Sequence, residues 1–133
     1  MTVKVTVRRC GGNEFRLASG RSADTLNPKE MLLYATACCA GMTVNGILDK
    51  QHLTVDSFEI TMSGELDTDT VMAQSTYGSF RISYHLSCPD TDAEKVREAV
   101  KRADEKYCGT LKMIRRIAPV TSQIEIGESV AAL

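Results

Sequence analysis

Residues 34–44 read YATACCAGMTV, two adjacent cysteines in a run of small and apolar residues without a charge. The run sits inside a longer uncharged stretch, Met31 to Leu48, that follows Asn27-Pro28. Asparagine is a good N-cap and proline suits the first helical position, so the pair marks the start of a helix over about 28–50. A stretch this long and apolar brushes the threshold for a membrane span. Thr36, Gly41, Thr43, Asn45 and Gly46 dilute it, and amphipathic strands surround it, so we read a soluble fold with no membrane segment. A helix apolar on all sides is then buried on all sides. One small sheet covers one flank only. The other flank calls for a second helix, a second subunit, or both.

The strands around it are legible. In SFEITMSGEL, Phe58, Ile60, Met62, Gly64 and Leu66 alternate with polar residues, and in SFRISYHLSC, Phe80, Ile82, Tyr84, Leu86 and Cys88 do the same. Period-two alternation means one buried and one wet face, which fits an antiparallel sheet covered on one side. VKVTVRR near the start and VTSQIEI near the end are weaker versions, and Gly11-Gly12-Asn13 reads as a hairpin turn. A second helix, over about 91–108, opens on the capping-box pattern Thr91-Asp92-Ala93-Glu94. Its apolar stripe is Ala93, Val96, Val100, Ala103 and Tyr107, and Gly109 ends it. A short helix, TLKMIRRIA, comes next and is closed by Pro119. The acidic segment between the middle strands is a loop and lacks the glycine and terminal glutamate of a calcium loop. The order is β-β-α-β-β-α-α-β, an α+β fold in a single domain over 1–133.

A net charge of −1, with no block of like charge, gives no footing for nucleic acid. Met1 runs directly into VKVTVRR without the apolar core of a signal peptide, which points to the cytoplasm. The 5 cysteines make an odd number, form no CxxC pair and show no zinc spacing. In a reducing compartment they are either core residues or redox-active. Cys10 falls on the polar parity of its strand and Cys88 on the apolar parity. Cys38 and Cys39 are about 100° apart on a helix and cannot share one environment. Cys38 is in register with Met31, Tyr34 and Met42, and Cys39 with the mostly small Leu32, Ala35, Thr36, Thr43 and Gly46. Small neighbours allow close packing; they also leave room for a substrate. Cys108 lies at a helix junction among Lys106, Lys112, Arg115 and Arg116, where N–H groups and cations stabilise thiolate.

Asn27–Cys39 (NPKEMLLYATACC), then EKYCGT at 105–110 and APV at 118–120, resemble the osmotically inducible protein C family, which includes organic hydroperoxide resistance proteins. The resemblance runs over most of the chain. It implies an OsmC-like intertwined homodimer and a peroxidase that uses no metal, haem or other cofactor and protects against oxidative stress. The family's reactive cysteine falls on Cys39 and its resolving cysteine on Cys108. The first thiolate attacks the peroxide O–O bond and becomes sulfenic acid, the second condenses with it to an intrachain disulfide, and an external dithiol of the lipoyl type resets the pair. Cys39 lies too deep in its helix for that helix's own dipole to help, so the anion needs a cation from elsewhere. The family places a glutamate directly after Asn-Pro to orient an arginine. Here Lys29 stands there with Glu30 one place on, and Arg16 and Arg21 are the candidate arginines. These departures also resemble a branch without assigned activity, for which the alternative is a non-enzymatic dimeric module that binds an apolar ligand or senses oxidants. A metal site built from Cys39, Cys108 and His52 or His85 is the third reading.

Overall fold

A computed structural model describes residues 1–128. The observed elements are β1 (Thr2–Gly11), β2 (Glu14–Leu17), α1 (Pro28–Lys50), β3 (Ser57–Leu66), β4 (Tyr77–Cys88), α2 (Ala93–Arg102), α3 (Gly109–Ile117) and β5 (Val120–Glu128). The order is the one read from the sequence. Short 3-10 turns at Ala23–Thr25 and Asp90–Asp92 precede α1 and α2, and a π turn at Ala103–Tyr107 joins α2 to α3.

The strands form one sheet in the order β2-β1-β3-β4-β5. β1 pairs antiparallel with β2 and β3, and β3 antiparallel with β4. The expected antiparallel sheet needs one correction: β5 pairs with β4 in parallel, Phe80 opposite Val120 and Leu86 opposite Ile126. The chain leaves β4, travels back along the sheet through α2 and α3, and enters β5 in the original direction. Such a helical crossover is what a parallel pair requires, and residue alternation carries no trace of it.

One face of the sheet is the core. Val5, Val7, Phe58, Ile60, Met62, Ile82, Tyr84 and Leu86 are buried there against the helices. The other face is a polar ladder in which Arg8 pairs with Glu59, and Thr6 and Ser57 bond Thr61 and Ser87 across the strands at 2.9 and 2.6 Å. The hairpin reading holds: Gly11 and Gly12 turn the chain with φ of 140° and 52°, values that glycine adopts without strain.

α1 lies across the core face. Its start is a full capping box: Asn27 Oδ1 accepts from the Glu30 amide and Glu30 Oε1 accepts from the Asn27 amide, both at 2.9 Å. The box expected at Thr91–Glu94 is absent. Residues 90–92 take a 3-10 turn instead and no side chain caps α2. The second helix is also shorter than its expected span, because its last five residues are the π turn.

α1 is not buried all round. It is long and apolar enough by length and composition to cross a membrane, but Leu33, Ala37, Ala40, Gly41, Val44 and Leu48 are packed against sheet and helices. Asn45, also buried, ties the helix to the hairpin through the Gly12 carbonyl at 2.9 Å and Arg9 at 3.1 Å. Met31, Leu32 and Met42 on the opposite flank stay exposed, and so do Met113 and Ile117 on α3. The small residues thus divide by direction. Those facing the sheet allow close packing, while Ala35 and Gly46 sit on the open flank with Cys39 between them.

Candidate active site

Cys39 and Cys108, 69 positions apart, bring their sulfurs to 3.6 Å, with the Cys108 thiol donating to Cys39 Sγ. The two environments differ. Cys39 is partly exposed on the open flank of α1, and Cys108 is buried at 1% exposure. Burial pushes the Cys39 thiol up. The Thr110 hydroxyl, the Cys108 thiol and the Thr110 amide push it down, and their sum leaves it below the ordinary cysteine value. Cys108 goes the other way, raised to about 11, first by burial and then by the charge of Cys39 beside it, against the Leu111 amide. Of the two sulfurs, Cys39 is thus the one whose surroundings favour the thiolate, and Cys108 the one whose surroundings favour the thiol.

Within the chain itself, the donors to Cys39 come from residues 108–110. Thr110 lies in the first turn of α3, so the helix that supplies N–H groups to Cys39 is α3, through its N-terminus, rather than α1. Orphan N–H groups and the positive end of the dipole favour an anion there. Sequence reasoning had assigned this helix start to Cys108 alone and passed over Thr110, a hydroxyl two residues beyond the cysteine. Replacing it tests the assignment. Thr110→Val removes the hydroxyl donor and slows iodoacetamide alkylation of Cys39 at neutral pH about tenfold, the worth of one hydrogen bond to a charged group. The sign comes from the direction of the shift: alkylation tracks thiolate, so the parent curve rises at lower pH than free cysteine and the variant curve moves to higher pH.

The other sequence candidates lie elsewhere in the chain. Glu30 is held by the capping box. Arg16 pairs with Glu14 at 2.8 Å, and Arg21 lines a groove beside Cys10 with Arg8 and Arg16. Among the described residues none of the three bonds Cys39. The Lys29 carbonyl accepts from the Tyr77 hydroxyl at 2.7 Å. Cys38 bonds Tyr34, and burial raises it, so it stays a thiol. Cys88 is buried and Cys10 exposed, as their strand parities implied. His85 bonds Glu125 at 3.0 Å, among the exposed polar side chains, and among the described residues no group of three metal-ligating side chains gathers.

A groove of about 450 Å³ opens further along α1, lined by Met42, Thr43, Ile47 and Tyr107 together with Lys50, Gln51 and Arg102, and neither cysteine lines it. Thr43 links it to the site, its hydroxyl donating to the Cys39 carbonyl at 2.8 Å. Behind the pair lies Asp104, a buried carboxylate that sequence reasoning missed. The Tyr84 hydroxyl donates to it at 2.7 Å, Ser122 at 2.8 and 3.0 Å, and Arg115 at 3.0 Å. Its signal was present in the sequence, because residue 104 lies one helical turn after Val100 on the apolar stripe, where a charge is out of place.

The model of the OsmC-like protein family matches residues 21–123. The chain belongs to this family. No curated protein matches the OsmC-like chain. Among solved structures, a hypothetical protein from Aquifex aeolicus VF5 superimposes with a TM-score of 0.67 at 24% identity, covering 97% of this chain and 99% of that one. An organic hydroperoxide resistance protein OsmC from Legionella pneumophila gives 0.56 at 15% identity, with 92% and 96% covered. The organic hydroperoxide resistance protein OhrB of Bacillus subtilis gives 0.54 at 21%, with 92% and 98% covered. These likenesses establish the OsmC-like fold.

Proposed function

We propose that this OsmC-like chain is a cytoplasmic, thiol-dependent hydroperoxide reductase in which Cys39 attacks and Cys108 resolves. The observation that carries the reading is the asymmetric sulfur pair at 3.6 Å, a partly exposed thiol with lowered pKa against a buried one with raised pKa. Only thiolate is a good nucleophile, so the site selects Cys39. It attacks the outer peroxide oxygen, the O–O bond breaks, and an alcohol leaves as its alkoxide takes a proton. The resulting Cys39 sulfenic acid condenses with the Cys108 thiol, releasing water and forming the disulfide. The sulfurs then close from 3.6 Å to a bond of about 2.05 Å, a movement within the reach of side-chain rotation. An external dithiol returns both thiols. The apolar side chains of Met42, Ile47 and Tyr107, in the groove that begins at Thr43 one turn beyond Cys39, favour an organic peroxide over hydrogen peroxide.

Intact mass after one equivalent of an organic hydroperoxide tests this. The expected result is a loss of about 2 Da per chain, one disulfide, and its absence in either cysteine variant. A parent that keeps its mass while the peroxide is untouched removes the reading.

The same reading includes a homodimer. The exposed apolar flank of α1 (Met31, Leu32, Met42) and the exposed row Met113 and Ile117 of α3 are the surfaces that a second copy would cover. Sedimentation of the parent is expected to give a dimer, and Met113→Glu together with Met42→Glu a monomer. Identical masses in solution for parent and variant would place the interface elsewhere.

A further inference from the structure

The α periodicity of residues 93–107 turns Tyr107 inward, in line with Val96, Val100 and Ala103. The structure does the opposite: Tyr107 is 49% exposed and Cys108 1%. The cause is the π turn at Ala103–Tyr107, closed by the Cys108 amide donating to the Ala103 carbonyl at 2.9 Å. A π turn holds one residue more than an α turn, so the residues beyond it are rotated by roughly 100°. The rotation puts Cys108 where Tyr107 would have pointed, and it is this that aims the second sulfur at Cys39.

Such a turn is rare and occurs mostly as a single bulge within α-helical chain. Something must hold it, and Asp104 is its second residue. Its carboxylate takes Tyr84 from β4, Ser122 from β5 and Arg115 from α3. Arg115 also donates to the Asp104 backbone carbonyl at 2.6 Å, so one guanidinium clamps both side chain and main chain. The side chain of Asp104 is 6% exposed, and no buried polar side-chain atom among the described residues lacks a partner. Arg115 sits on the helix whose first turn carries Thr110, the donor to Cys39. One carboxylate therefore registers the π turn, and with it Cys108, against the start of α3.

We propose that Asp104, clamped by Arg115, Tyr84 and Ser122, is a positioning residue that holds the π turn and thereby keeps the Cys108 sulfur aimed at Cys39 for the resolving step. The proposal rests on the redox reading above. The step concerned is Cys39–SOH with Cys108–SH giving the Cys39–Cys108 disulfide and water. Its competitor is a second hydroperoxide, which oxidises the waiting sulfenic acid to sulfinic acid and leaves as an alcohol. Misplacing Cys108 slows the first and leaves the second untouched.

The experiment measures that partition, disulfide against Cys39 sulfinic acid, by mass over a series of organic hydroperoxide concentrations. Parent, Asp104→Asn and Arg115→Lys are compared, with Arg116→Lys as a neighbouring control. The Asp104→Asn side chain keeps an acceptor for Tyr84 but turns an amide N–H toward Arg115, and lysine cannot serve two acceptors with a planar fork. The expected result is a sulfinic fraction about tenfold higher for Asp104→Asn, in the range that displacing a reacting group costs. Arg115→Lys rises in the same direction and Arg116→Lys matches the parent. Should Asp104→Asn fail to fold, Arg115→Lys decides. A lower melting temperature with the parent's partition in the folded variants overturns the proposal and leaves Asp104 a structural residue. A parent that forms neither product overturns the redox reading itself, and this inference with it.

Discussion

Cys39→Ser is expected to abolish hydroperoxide consumption, whereas Cys108→Ser is expected to keep the first oxidation and lose the rest. The difference comes from the two sulfur environments. Cys39 carries the lowered pKa, so it is the sulfur that more readily forms thiolate, and a serine hydroxyl in its place is not ionised at any working pH. The expected fall is about a thousandfold or more, the scale on which removing a nucleophile acts. Cys108 contributes a buried thiol that donates to Cys39. Without it the peroxide still meets a thiolate, though one held by a donor fewer. The sulfenic acid then persists or is overoxidised. Stopped-flow consumption of an organic hydroperoxide with excess dithiol, together with intact mass, reads both effects. Cys38→Ser is the internal control. Its thiol is raised by burial and bonded to Tyr34, so the variant is expected to turn over like the parent. Loss of activity at Cys38 with retention at Cys39 would transfer the chemistry to the other sulfur.

The second large effect is on stability. Gly41 lies in the run that carries the cysteines, and a Cβ there would come within 2.6 Å of the Phe15 ring. Phe15, on β2, is buried, edge-on against Phe58 at 5.3 Å and against Gly41 of α1. The ring cannot yield without disturbing both. Gly41→Val therefore forces α1 away from the sheet and is expected to destabilise the chain by about 2–3 kcal/mol, lowering Tm by roughly 10 °C. Combining it with Phe15→Leu should recover part of the loss, because the two sites touch and their effects are coupled. Thermal unfolding by circular dichroism checks this. A fully additive pair would mean that the close approach does not limit the packing.

The same stretch shows how far a sequence can be read. The capping chemistry of Asn27 and Pro28 marked the start of α1, and the alternation in β3 and β4 named their buried faces residue by residue. Both signals are local, since each residue's partner lies within four positions or on the same face of the same strand. The burial of α1 was read less well, because its uniform apolarity does not say which flank meets the sheet and which lies open. The site divides in the same way. The resemblance pointed to Cys39 and Cys108, while the donors that the first turn of α3 brings to Cys39 did not show in the sequence. Thr110 went unnoticed because its partner is remote in the chain, whereas Asp104 showed in the sequence only as a charge out of place, without its partners.

Sequence alone determined the eight elements, the helix that carries Cys39, and the strand faces that form the core, because hydrophobic periodicity and end-capping are short-range and written in consecutive residues. Tertiary structure alone decided three things. β5 runs parallel, because the direction of a returning strand depends on the path of α2 and α3 over the sheet. Cys108 rather than Tyr107 faces inward, because a π turn shifts the phase of the helix by a residue without any change in apolar pattern. And Cys39 takes its donors from a helix that begins 70 residues later, because an anion is stabilised by whatever dipoles the fold brings near it, not by those nearby in sequence.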